Sequence, residues 1–300
     1  MRLRSVPAFL ALVSALAGAP LGGYAYNTIG TDPGSKWDDP TWDTPATVTW
    51  SYMDVGVGRG PGTPAHWTGS NTLGSGDPVT DVRAVIDNQF GAGAFDAAVS
   101  RALATWSQAT GITFMNVADQ GGAMGTATAP DIRIGAFDFD EFAPGVPDLA
   151  GGAGFGPPGN DLAFPDALAG DLALNNANRF TVAGGSEGDA LPTGAGGEYL
   201  NDIEGLVLHE IGHTLGLAHT DVPDAVMCGY VFPGDVFDGS SCVITVVNRR
   251  LHPDDLAGIQ AIYGPAPAAG VPIPPAAQAA LALLLGIGAR LAAPRRVSRR

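Results

Sequence analysis

The chain has 300 residues, 45% of them hydrophobic, which is enough for one large buried core or two smaller ones. Thirty acidic residues against fifteen basic ones set a formal net charge of −15, and seven of the basic residues (Arg2, Arg4, Arg290, Arg295, Arg296, Arg299, Arg300) stand in end segments that carry no acid. So acidic a body repels phosphate backbones and anionic headgroups, which argues against nucleic acid as a partner; a solvated acidic surface is the plain reading.

At the N-terminus Arg2 and Arg4 precede an apolar stretch over 6–17 that ends in the small-residue pair Ala15 and Ala17. That order reads as a secretory signal peptide over 1–17, with a second cut site after Ala25. It is too short and too bounded by Gly and Pro for a transmembrane helix. Export would place Cys228 and Cys242, the two cysteines of the chain, in an oxidising compartment where a bridge between them is expected.

Alternating β-branched and aromatic residues in TVTWSY predict a strand over 47–52, followed by a long Gly- and Pro-rich surface loop over 55–80. Phe95, Val99, Ala102, Leu103 and Trp106 recur at helical spacing and predict a helix over 94–109, closed by Gly111. Short strands follow at 113–117 and 132–136, with weaker ones at 152–155 and 171–174. A second helix should begin near 199–202 with Asn201 as its cap, bury Ile203, Leu206, Val207, Ile211 and Thr214 on one face, and stop at Gly216. Pro253, Asp254 and Asp255 open a third helix, Leu256, Ile259, Ile262 and Tyr263 form its apolar face, and Gly264 ends it.

Beyond a Pro-rich linker over 265–275 lies an apolar run over 276–289, then Arg290 and four further arginines. Positive charge after an apolar segment favours a cytoplasmic end, so the segment over 271–300 reads as a sorting signal or membrane anchor. Val271-Pro272-Ile273-Pro274, the apolar run and the terminal arginines resemble the PEP-CTERM class of bacterial sorting signals, without the acid that usually stands between the prolines. That resemblance implies an exosortase-type processing partner, transient or permanent membrane association through the tail, and a Gram-negative cell surface. An ordinary tail anchor is the alternative.

Three of the five histidines fall within His209-Glu210-Ile211-Gly212-His213-Thr214-Leu215-Gly216-Leu217-Ala218-His219. His209 and His213, four apart on a helix, project from one face and can bind a single ion. Gly216 lets the chain leave the helix and bring His219 round as a third ligand. Three neutral imidazoles leave a zinc ion doubly positive with an open position, which acidifies a bound water and polarises a carbonyl. Glu210, next to His209, is placed to act as general base without being a ligand. His66 and His252 lack ligand spacing; His66 is expected exposed in its loop, and His252 capping or at the surface.

The extended HExxHxxGxxH pattern resembles the signature of the metzincin proteases, in which a methionine turn lies beneath the metal. Met227, eight residues after His219, resembles the matrixin branch in its spacing, with Tyr230 following. Residues 251–264, LHPDDLAGIQAIYG, are similar to the last helix of matrixin catalytic domains, and the likeness spans 36–264. It implies an α+β fold with a mixed twisted sheet of about five strands and three helices, and zinc in a cleft below the sheet edge. The implied activity is a zinc endopeptidase acting on protein or peptide substrates.

Departures from the pattern are also informative. No histidine stands at Gly152, Ala153 or Ala173, so a single zinc is expected. No cysteine precedes Cys228, so no cysteine-switch latency is expected. Calcium sites of the family could survive through Asp131, Asp171, Asp138 or Asp140. Cys228 and Cys242 would flank a wall of the substrate pocket, and 151–157 would offer a sheet edge to an extended substrate. The alternative to an enzyme is a catalytically inactive, zinc-stabilised surface or matrix-binding protein.

Overall fold

Strand β1 (Ala46–Tyr52) opens the fold where the alternation places it, with Ala46 and Val48 buried. The computed structural model describes residues 28–29, 36–126, 130–143, 146–147, 150–158, 168–197, 199–229 and 245–267. The signal peptide, most of the linker, the tail, Tyr230 and Cys242 fall outside that set. Among the described residues no helix is long and apolar enough to cross a membrane.

After β1 come β2 (Trp67–Thr68), α1 (Val82–Phe90), α2 (Ala94–Ala109), β3 (Ile112–Asn116) and β4 (Ile132–Phe139). A small antiparallel pair, β5 (Glu141–Ala143) with β6 (Val146–Pro147), precedes β7 (Gly152–Gly154) and β8 (Asp171–Asn175). A second pair, β9 (Phe180–Thr181) and β10 (Asn201–Asp202), leads into α3 (Ile203–Thr214), and α4 (Pro253–Tyr263) is the last element among the described residues.

The main sheet runs in the order β3-β1-β4-β8-β7, with β2 paired antiparallel to β4. The β1–β3, β1–β4 and β4–β8 pairs are parallel and β7 lies antiparallel to β8, so the sheet is mixed and β7 is its edge. Nearly all of β4 and all of β8 are buried, as expected of parallel strands covered on both faces. The α+β architecture with a mixed sheet of about five strands is as expected.

Two details differ from expectation. The loop over 55–80 is interrupted by β2, which buries Trp67 against the Phe139 ring at 4.0 Å between centroids. A fourth helix, α1, follows it. Only Val82 and Ile86 are buried on α1, so its apolar stripe is a single pair four residues apart; the Asp81 carboxylate caps it through the Arg83 N–H at 3.0 Å. Helix α2, by contrast, buries Phe95, Ala98, Val99, Ala102, Leu103 and Trp106, the repeating stripe that made it legible.

Candidate metal centre

Helix α3 crosses the core with Ile203, Val207, Leu208 and Ile211 buried. Its N-cap is Asp202 rather than Asn201: the Asp202 carboxylate accepts the Gly205 N–H at 3.0 Å, while Asn201 belongs to β10. Arg249 clasps the same carboxylate through two bonds of 2.6 and 2.5 Å. Arg101 meets Glu204 in the first turn at 2.7 Å. An acid in that turn also favours the positive helix end.

At the other end each exposed carbonyl finds a donor. The Gly216 N–H bonds to His213 O at 2.8 Å and the Leu217 N–H to Gly212 O at 3.0 Å, a Schellman closure made possible by φ of +104° at Gly216. The Trp37 indole donates to Thr214 O at 2.7 Å, the Tyr263 hydroxyl to Leu215 O at 3.1 Å, and the Ile29 N–H to Gly216 O at 2.9 Å. The helix therefore stops at a defined angle, and the chain returns towards its own last turn.

That return brings His219 to His209 and His213. The three Nε2 atoms form a triangle with edges of 3.1, 3.1 and 3.2 Å. Among the described residues this is the one group of three or more potential ligands whose donor atoms converge. Two ligands held at about 2.0–2.1 Å around a tetrahedral ion are separated by roughly this much. The outer nitrogens settle the tautomers: His209 Nδ1 lies 2.6 Å from Val226 O and His213 Nδ1 2.8 Å from Leu217 O. A carbonyl only accepts, so Nδ1 carries the proton and Nε2 presents its lone pair inwards. Burial, reinforced for His213 and His219 by the neighbouring imidazoles, lowers the pKa of all three, that of His219 to about 3. Three neutral imidazoles aimed at one point fit a divalent ion and little else.

Glu210 is buried beside this triangle. Its carboxylate accepts the Gly154 N–H of β7, and burial pushes its carboxyl up to about 8 against that hydrogen bond. A dication at the histidines acts in the opposite sense, favouring the anion. Edge strand and helix approach so closely that a Cβ at Gly154 would overlap the Glu210 carbonyl, and one at Gly152 would lie 3.3 Å from Glu210 Cγ. The sheet edge is thus set against the carboxylate because β7 has almost no side chains.

Met227 is buried beneath the site, and a Cβ at Gly212 would overlap its sulfur. What holds Met227 there is a residue that the sequence marks only as helix-terminal: Asp255 of α4 accepts the N–H groups of Val226 (2.8 Å), Met227 (2.9 Å) and His252 (2.7 Å). Val226 then presents its carbonyl to His209. His252 caps α4 in a reciprocal capping box, as its position suggested. His66 is half-buried, with its ring edge-on to Trp67. Cys228 is disulfide-bonded.

Two of the acids considered for calcium, Asp131 and Asp171, have protein partners. Asp131 accepts from Thr49 N and Thr49 Oγ1, both at 2.8 Å. Asp171 accepts the Gly125 N–H at 2.6 Å and lies 3.8 Å from Arg133 Nη1, while Arg133 is paired with Asp119 at 2.8 Å. Two buried acids share one guanidinium, and burial pushes Asp171 up to about 7. Asp131, Asp171, Asp138 and Asp140 form no cluster of three among the described residues.

Such a centre, set under the edge of a mixed sheet, places the chain in the metzincin class of folds. The family model for matrixin matches residues 85–264, more than half of the chain, and the chain belongs to the matrixin family. Matrix metalloproteinase-20 of Homo sapiens is 31% identical over 174 residues, covering 57% of this chain and 28% of that protein. Interstitial collagenase of Oryctolagus cuniculus is 30% identical over 186 residues, 60% of this chain and 30% of that protein. A probable matrix metalloproteinase 095L of Invertebrate iridescent virus 3 is 31% identical over 123 residues, 39% of this chain and 27% of its own length. The chain thus spans less than a third of the length of these relatives.

Proposed function

We propose that this chain is an exported zinc-dependent endopeptidase, with zinc held by His209, His213 and His219 and Glu210 acting as general base. The observation that carries this reading is the convergence of three imidazole Nε2 atoms beside a buried carboxylate at an open sheet edge. Zinc, when bound there, supplies the Lewis acidity that acidifies water and polarises a peptide carbonyl. Membership in the matrixin family supports the same activity.

The chain's own residues supply the rest. Hydrogen bonds from His209 and His213 to backbone carbonyls keep their rings from swinging away. The edge of β7 offers backbone groups with which an extended peptide can pair, so that binding relies on main-chain hydrogen bonds more than on particular side chains. Glu210 takes a proton from the attacking water and passes it to the leaving amine.

Export rests on the signal peptide over 1–17, and the tail over 271–300 would anchor the protein or be removed by an exosortase-type enzyme at a cell surface. The test of the enzyme is Glu210→Gln. The variant should keep about one zinc per chain and lose turnover by about 10²–10⁴-fold. Undiminished cleavage of a protein substrate by that variant would falsify the mechanism.

A further inference from the structure

We propose that Gly229 is a positioning residue for the third zinc ligand: its bare backbone is the surface against which the His219 imidazole lies, and it fixes the direction in which that ring offers Nε2. The inference rests on the zinc peptidase reading above. His219 needs such a support more than its partners do. His209 and His213 are carried by α3, which sets the direction of both side chains, whereas His219 stands in a segment without helix or strand, where local geometry does not aim the ring.

A Cβ built at Gly229 would overlap Cγ, Cδ2 and Nδ1 of His219, and these are the three atoms nearest to it. The backbone therefore sits against the imidazole itself. Gly229 does not have a positive φ, so its conformation would suit alanine; the close approach of the ring is what demands glycine. Gly229 is buried, and several connections hold it in place. The Thr220 N–H donates to Met227 O at 2.9 Å and the Gly229 N–H to Thr220 O at 3.4 Å, and the resulting parallel bridge between Thr220 and Cys228 joins the residue after His219 to the residue before Gly229. Asp255 of α4 holds Val226 and Met227 just upstream. Cys228, buried and disulfide-bonded, ties the same stretch covalently. Movement of the His219 ring towards this side is thus blocked by main chain, which cannot yield as a flexible side chain would. A ligand whose other orientations are excluded beforehand loses less freedom when the ion binds.

The test compares the full-length wild type with Gly229→Ala, His219→Ala and the double variant, each with and without zinc. Gly229→Ala should weaken zinc binding by about 10–100-fold in competition with a chelator, and the rise in Tm that zinc produces should shrink accordingly. Cobalt put in place of zinc should show weaker visible absorption in this variant, as the site loses its tetrahedral arrangement. In the His219→Ala background the same substitution should change neither Tm nor the residual zinc affinity, because the atoms it would strike are gone. An equal fall in Tm in both backgrounds, or wild-type zinc affinity in Gly229→Ala, overturns the assignment and leaves the peptidase standing. If Gly229→Ala does not fold, the double variant decides: a folded protein with the Tm of His219→Ala supports the assignment, and an unfolded one overturns it. A wild type that takes up no zinc brings down the peptidase reading and the assignment together.

Discussion

His209 and His213 come together because one turn of α3 separates them, whereas His219 reaches them from beyond Gly216, in a segment with no helix and two isolated bridges, Leu217 to Thr28 and Thr220 to Cys228. The helical half of the centre is set by local geometry and would be aligned in any helix of this sequence. The other half takes its shape from distant groups: Trp37 and Tyr263 seal the helix end, and Asp255 holds the turn that carries Val226 and Met227. The contrast separates residues that would bind metal from residues that make the binding site exist.

Ligand removal from the helical half should have the largest effect. His213→Ala is expected to lower zinc content after dialysis from about one per chain to near zero, read by atomic absorption, and cleavage should vanish with it. Zinc retained at full occupancy would contradict the assignment. The next largest effect belongs to the distant half. Asp255→Asn replaces a carboxylate that receives three backbone N–H groups, and should cost about 2–3 kcal/mol of stability, lowering Tm by roughly 4–12 °C. Zinc affinity should weaken by about 10–100-fold through His209, whose carbonyl partner Asp255 positions. An unchanged Tm would show that α4 does not hold the methionine turn.

Gly216→Ala tests the joint between the halves. A side chain at φ of +104° should cost at least about 1 kcal/mol, and weakened zinc binding with His209 and His213 intact would show that the cost falls on His219. Wild-type Tm and zinc affinity together would remove the joint from the account.

The smallest expected effect concerns Asp171, whose partners Gly125 and Arg133 belong to neither half. Its folded pKa of about 7 lies above the ordinary 3.8, so between these values the folded chain keeps a proton that the unfolded chain sheds. The stability this group contributes is present at low pH and is lost as pH rises towards 7. The Tm of wild type minus that of Asp171→Asn should therefore fall from pH 5 to pH 8. A difference independent of pH would mean that Asp171 is ionised throughout.

Legibility followed the length and repetition of each signal. Helices α2 and α4 were readable from long apolar stripes and from the Pro253 and Gly264 boundaries. Helix α1 was not, because two buried residues make too short a pattern to stand out beside a Gly- and Pro-rich loop. At the start of α3, Asn201 and Asp202 are both good caps, and only the pairing of Asn201 into β10 with β9 left the role to Asp202. Strand β7 was readable only weakly, since Gly-Ala-Gly has almost no side-chain pattern; its place is decided by how closely a bare backbone can approach α3.

The sequence by itself determined the chemistry on offer: two histidines one turn apart, a glutamate beside the first, a glycine able to turn the chain and a third histidine after it. These are relations among neighbours, and a helix converts spacing into direction without outside help. The tertiary structure alone decided that Gly154 meets Glu210, that Asp255 holds Met227 in place, and that Trp37 closes a helix 177 positions further on. Such pairings join groups that no local period relates, and they form only when burial of the core brings their elements together.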